Sequence, residues 1–313
     1  MEKRLRRPSL FGTGYGTQFF IRPAADSLAA DLRSNADNDE QVSDLTRTLI
    51  GFSNTMTPEH TPALINAHFR HHQANGTSEE LIGESEFFTP EDFKIADHRI
   101  QGRFDELGQF SGSLSIYDLE PISLIVPWSN SRGKMTDCGP FSINFAYVQG
   151  LASESTLPPN EWARITRKLK RMGGLYIYRD GIRILPYGNE NSDFLDIEKR
   201  RSKGAGYYYF SYRRMFGAIE ITHSENSNLN EKAGREGFRE NRAYRQFKEI
   251  LINLFVQLAA EFFRRQSPAK INKDQLPRSK RESRQACPAG FYSGKSSHAR
   301  RARQKRRKKD HRR

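Results

Sequence analysis

The chain has 313 residues, with 51 Lys and Arg against 37 Asp and Glu, a formal net charge of +14 and two cysteines. No run of about 18 apolar residues occurs, and the basic N-terminus lacks an apolar core, so neither a membrane span nor a secretory signal is expected. Cys138 and Cys287 lie far apart, which argues against a disulfide framework and for a reducing compartment, the cytoplasm.

Taken in chain order, residues 17–23 (TQFFIRP) carry an apolar run stopped by proline, a strand signal. Residues 27–33 (SLAADLR) read as a short capped helix with Leu28 and Leu32 on one face, and the acidic stretch 35–44 as a solvated loop. Residues 46–56 (TRTLIGFSNTM) are expected as loop or strand and 63–72 (ALINAHFRHH) as a helix. That helix would place His68, His71 and His72 together at a spacing zinc can use. With no Cys or acidic partner fixed by the sequence, a solvated basic face is the preferred reading.

Next comes a hairpin at 98–121, two alternating runs around the turn Glu106-Leu107-Gly108. Asp105, Glu106, Asp118 and Glu120 are its surface charges rather than a catalytic carboxylate pair. Residues 122–128 (ISLIVPW) read as a buried strand, and 139–148 as a strand with Phe141, Ile143 and Phe145 on one face. Pro158-Pro159 opens a helix over 160–172 whose stripe is Trp162, Ile165, Leu169 and Met172. The strongest hairpin signal is GGLYIYRDGIRILPYG, residues 173–188, where Asp180-Gly181 suits a type I′ turn. The aromatic run 207–222 (YYYFSYRRMFGAIEIT) is expected to supply a further strand pair, structural rather than base-stacking. A closing helix over 238–264 stacks Phe247, Ile250, Leu251, Leu254, Phe255, Leu258 and Phe262 at three-and-four spacing.

The charge belongs to the end of the chain. From Arg264 onward there are 19 Lys and Arg against 3 Asp and Glu, a net +16; the rest holds 32 against 34, a net −2. Residues 266–313 are expected to be a disordered tail. Its charge would attract polyanions non-specifically and with steep salt dependence, which makes nucleic acid a candidate partner.

Three stretches carry a family resemblance. GGLYIYRDGIRILPYGN (173–189) resembles the transducer hairpin of the GHKL ATPase superfamily. LNEKAGREGF (229–238) resembles the loop before a helix in that superfamily's heat-shock chaperone, patterned Asn-x-Ser-Arg-Glu. YGTQFFIRP (15–23) resembles the Gly-Thr-strand motif that closes the nucleotide domain. More broadly, 87–263 looks like a group of bacterial chaperone-like ATP-binding proteins. The resemblance implies an α+β fold: a mixed sheet whose hairpins pack on helices, with a partial nucleotide-binding domain over 1–94, a transducer-like domain over 95–265 and the basic tail over 266–313.

It also implies chemistry. The loop arginine that meets the γ-phosphate corresponds to Arg235, with Lys232 as a rival for the same phosphate and Glu236 as the residue steadying the loop. A guanidinium forks onto phosphate oxygens and stabilises charge that develops in phosphoryl transfer. The flanking Gly234 and Gly237 would allow close approach. Gly16 and Thr17 would line the adenine site. ATP with Mg is the implied cofactor. The Glu base, the magnesium-binding Asn, the Asp-x-Gly segment and the glycine-rich lid of the family have no counterpart before Gly16. The resemblance therefore implies a chain that begins where the ATP domain is finishing, turns over little ATP alone and works with a protein partner or a missing ATPase half.

Overall fold

The computed structural model describes residues 44–58, 69–73, 75–80, 87–189, 191–205, 207–234 and 236–263, together with Phe19 and Ile21. In chain order the elements are α1 (Asp44–Leu49), β1 (Arg70–His72), β2 (Ser78–Glu80), α2 (Pro90–Ile95), β3 (His98–Phe104), β4 (Phe110–Ile116), β5 (Ile122–Val126), β6 (Phe141–Tyr147), α3 (Pro159–Met172), β7 (Gly174–Arg179), β8 (Ile182–Arg183), α4 (Ile197–Lys203), β9 (Met215–Ile221) and α5 (Arg242–Leu258), which ends in a π turn, Ala259–Phe263. Among these, seven strands form one sheet in the order β5-β4-β3-β6-β9-β7-β8, antiparallel except for β7 with β9. The architecture is α+β with a mixed sheet, as expected. No described helix is long and apolar enough to cross a membrane.

Local chemistry sets the two main hairpins. At the first, the Asp105 carboxylate accepts from the backbone N–H of Leu107 (2.9 Å) and Gln109 (2.8 Å), which brings Phe104 opposite Phe110. At the second, Asp180 and Gly181 take φ of 51° and 79°, the pair of left-handed residues a type I′ turn demands. Alternation then divides the side chains between two layers. Ala146, Tyr176, Tyr178, Phe216 and Ala218 meet Ile165, Leu169 and Met172 of α3. On the opposite face Phe141 packs on Phe247 (ring centroids 4.7 Å apart) and Phe145 on Phe255 (4.9 Å) of α5. Eight buried residues of α5 line that layer, each large one contributing about 1.5–3 kcal/mol as an upper bound.

The segment before the sheet joins the same core. Arg183 is buried; its guanidinium donates to the carbonyls of Arg47 (2.8 Å), Ile50 (2.6 Å) and Tyr187 (3.0 Å) and lies over the Tyr176 ring at 4.6 Å. Phe88 stacks on Phe216 at 4.0 Å. The expected cut between residues 94 and 95 falls inside α2, which Thr89 and Asp92 close with a capping box. The chain divides into the compact units Met1–Arg265 and Gln266–Arg313, and every described residue lies in the first.

Several expected elements are corrected. Residues 44–49, expected as loop or strand from 46 on, form a helix. Arg70–His72 is a strand paired with β2, not helix; Asn75-Gly76 turns it, with the Asn75 carboxamide accepting from Thr77 N–H (2.9 Å) and Gly76 at φ 89°. Local turn chemistry there outweighs the apolar spacing of the preceding residues, and His71 and His72 do not share a helix face. β5 is an edge strand that buries Leu124 and Val126 on one face and leaves Ser123 and Ile125 exposed on the other, rather than being buried throughout. The aromatic run gives one strand, β9, instead of two: β9 is already hydrogen-bonded by β6 and β7, so residues 207–211 have no ladder there to join. The last helix starts at Arg242, because Phe238 bridges back to Glu231 and Asn241 caps Tyr244 N–H at 2.9 Å. The π turn widens its final turn so that Phe263, not Phe262, reaches the core. The strand expected at 17–23, the helix at 27–33 and the tail at 266–313 lie outside the described residues, apart from Phe19 and Ile21.

Candidate functional site at the loop end of the sheet

The C-terminal ends of β3, β5, β7 and β9 and the N-terminal ends of β4, β6 and β8 lie at one edge of the sheet, where α5 also begins. Residues 222–241 build the largest loop of this edge. Asn226, fully buried, donates through Nδ2 to the carbonyls of Cys138 (2.6 Å) and Pro140 (2.9 Å). Asn228 Nδ2 reaches the Asp137 carbonyl at 3.2 Å, and the Asn228 carbonyl accepts from Asn241 Nδ2 at 2.7 Å. The loop is thus sewn to the β5–β6 connection on one side and to the N-cap residue of α5 on the other.

Its tip carries the residues expected to matter. Lys232 N–H donates to the Gly237 carbonyl at 2.9 Å, and Arg239 N–H to Asn230 at 2.8 Å, so residues 230–239 close on themselves as a small hairpin. Lys232 and Glu236 are both exposed, and Arg235 lies outside the described residues, as do Gly16 and Thr17. The acid that anchors the loop is Glu231: its carboxylate receives Arg179 Nη1 at 2.7 Å, while Arg179 Nη2 donates to the Leu229 carbonyl at 2.5 Å. Of the two glycines only Gly237 is demanded by geometry. Its φ is 88°, and a Cβ there would stand 3.0 Å from the Tyr187 hydroxyl; one on Gly234 would meet nothing closer than 3.7 Å. Phe238 anchors the loop base in the core against Tyr187, Tyr244 and Phe247.

Beside this loop lies a groove of about 220 Å³ between the β5–β6 connection and α5, lined among others by Trp128, Asn130, Arg132, Lys134, Arg242 and Gln246. Sequence reading missed it. The available signal was Ser129-Asn130-Ser131-Arg132-Gly133-Lys134, a turn sequence with two cations. What placed them against Arg242 was the tertiary fold.

The opposite edge of the sheet is closed. Asp97 is fully buried and accepts from the N–H groups of Gln149 (2.8 Å) and Thr156 (2.8 Å) and from the hydroxyls of Ser155 and Thr156. Next to it the Gln149 carboxamide donates to Tyr117 (3.0 Å) and Tyr209 (2.6 Å) hydroxyls, and His98 Nε2 lies 3.1 Å from the Tyr209 oxygen. Phe263 stacks on Tyr209 at 4.3 Å and seals the cluster. Burial raises the Asp97 carboxyl above its ordinary range against the pull of these donors and pushes Tyr117 up to about 12. Groups so enclosed hold the fold together. Cys138 is similarly buried, and desolvation raises its thiol to about 11, an inert cysteine rather than a nucleophile.

The resemblance implies Mg²⁺ as well as ATP. Among the described residues no group of three or more His, Cys, Asp or Glu side chains is placed to hold a metal ion. Compared with protein-family models, with curated proteins and with solved structures, the chain gives no match.

Proposed function

We propose that this chain is a cytoplasmic, transducer-like component of a GHKL-type ATP-binding protein. Its 229–238 loop offers Lys232 and Arg235 to the terminal phosphate of ATP held by a protein partner or a separate ATPase half, with Gly16 and Thr17 contributing to the adenine side. The carrying observation is the mechanical continuity of loop and helix: Asn241 both caps α5 and binds the Asn228 carbonyl, and Arg179 ties the loop to β7. A phosphate gripping the loop would therefore load α5, which passes the displacement to whatever contacts the chain. Guanidinium and ammonium groups there orient the phosphate and neutralise its charge; Glu231, held by Arg179, steadies the loop.

Binding of ATP to the full chain tests this directly. Weak association that falls when Lys232 and Arg235 are both replaced by Ala is expected, with negligible hydrolysis. Unchanged association in that variant overturns the reading. Turnover of about 1 per second or faster, in the ordinary enzyme range, would contradict the need for a partner.

A second reading rests on the net +16 from Arg264 onward: a nucleic-acid-binding adaptor acting through residues 266–313. Removing 266–313 should abolish binding to DNA or RNA, and affinity should fall steeply with salt before removal. Binding that survives in the remaining body would instead assign nucleic-acid recognition to the sheet and its loops.

A further inference from the structure

The geometry points to the groove between the β5–β6 connection and the start of α5 as a second anion site, one that takes a phosphate group through Arg132, Lys134 and Arg242. This goes beyond the loop reading and uses none of its residues.

Charge comes first. Arg132 and Lys134 are exposed on one wall and Arg242 on the other, none of the described residues lining the groove is acidic, and Asp137 beside it pairs with Arg242 Nε at 3.0 Å. Three cations line the groove and Asp137 pairs with one of them, so an anion held there would gain attraction from Arg132 and Lys134 without an opposing acid in the lining. The Asp137 contact engages Nε of the guanidinium, so both Nη groups keep donors for an oxyanion. Gln246 adds to this: its Oε1 accepts from Asp137 N–H at 2.7 Å, which leaves the Nε2 amide hydrogens as donors. Asn130 supplies another carboxamide.

The helix contributes independently. Arg242 is the first residue of a 17-residue helix with no acid in its first turn. A cation at that position opposes the helix dipole, an arrangement that an anion close by would relieve.

Size decides the class of ligand. At about 220 Å³ the groove falls below the roughly 300–1,000 Å³ of sites that enclose whole drug-sized molecules. It suits a phosphate group, free or carried on a larger molecule that projects into solvent. Trp128 forms part of the wall and gives an optical signal; the chain has one other tryptophan, Trp162, on α3.

The full chain is titrated with inorganic phosphate at constant ionic strength and followed by tryptophan fluorescence, then titrated with ATP. Saturable phosphate binding is expected, and the exposed double variant Arg132→Ala/Lys134→Ala should weaken it by about tenfold or more. Arg242→Gln should act in the same direction, and Lys232→Ala should leave the phosphate isotherm in place. Absence of saturable binding overturns the proposal, as does a double variant whose isotherm superimposes on that of the unmodified chain. Loss in Lys232→Ala alone assigns the anion to the loop and also overturns the groove. If ATP affinity falls with phosphate affinity in the groove variant, the phosphate is that of a nucleotide; if only phosphate is lost, it is free phosphate, and either result supports the site. Loop and groove thus fail separately, by different variants.

Discussion

The two edges of the sheet carry comparable numbers of polar side chains and treat them in opposite ways. At the edge where β3 starts and β6 ends, Asp97, His98, Tyr117, Gln149 and Tyr209 satisfy one another beneath Phe263. At the other, Arg132, Lys134 and Lys232 on loops and Arg242 at the start of α5 face water, and the loops are tied down by buried asparagine and arginine contacts. Polar groups that find partners inside the protein add specificity and stability; polar groups presented on an anchored loop keep their capacity for something else. The difference lies in residue type as well as in where the hydrogen bonds go: permanently charged cations stay in water, and the enclosed groups are ones that partners inside the protein can satisfy.

Mutation should separate the edges by the size of the stability change. Asp97→Ala should cost the most, about 3–5 kcal/mol, because it strands the N–H groups of Gln149 and Thr156 in the interior. Urea denaturation measures it, and a loss below about 1 kcal/mol would break the contrast. Phe263→Ala comes next. Uncapping Tyr209 and His98 should cost about 3 kcal/mol by the same measurement.

A smaller effect sharpens the description of the closed edge. The Asp97 pKa is raised from 3.8, so the folded chain holds that proton more tightly than the unfolded chain. Its contribution to stability is complete below pH 3.8 and is lost as pH rises through the folded value. Asp97→Asn should remove that part of the pH dependence of the unfolding free energy; an unaltered profile would show that Asp97 ionises normally. At the open edge almost nothing should happen. Arg132→Ala/Lys134→Ala and Lys232→Ala should each leave the urea midpoint within what about 0.5 kcal/mol allows.

The fold was legible where local chemistry and period agree. Asp180-Gly181 states its turn, the alternation of Phe141, Ile143 and Phe145 states a face, and the spacing of Phe247, Ile250, Leu251 and Leu254 states a buried helix stripe. It was illegible where a partner decides. Tyr207-Tyr208-Tyr209 has strand propensity, yet the neighbouring strand's edges are already taken. Ile125 is as apolar as a core residue and half exposed, because it lies on the face of β5 opposite buried Leu124 and Val126, beside exposed Ser111 of β4. The candidate site divides the same way. The glycine-flanked loop at 229–238 stood out in the sequence, while its anchors Arg179 and Glu231 and the groove beside it did not. No spacing rule connects residue 132 to residue 242.

The sequence by itself determined the turns, the amphipathic stripes of α3 and α5 and the concentration of positive charge from Arg264 onward, since each depends on residues close together in the chain. Only the tertiary structure decided which strand became an edge, which polar residues were sealed at one end of the sheet, and which cations met across a groove at the other. Those outcomes depend on contacts between distant segments, where competition for one hydrogen-bonding edge or one buried volume selects among locally acceptable conformations.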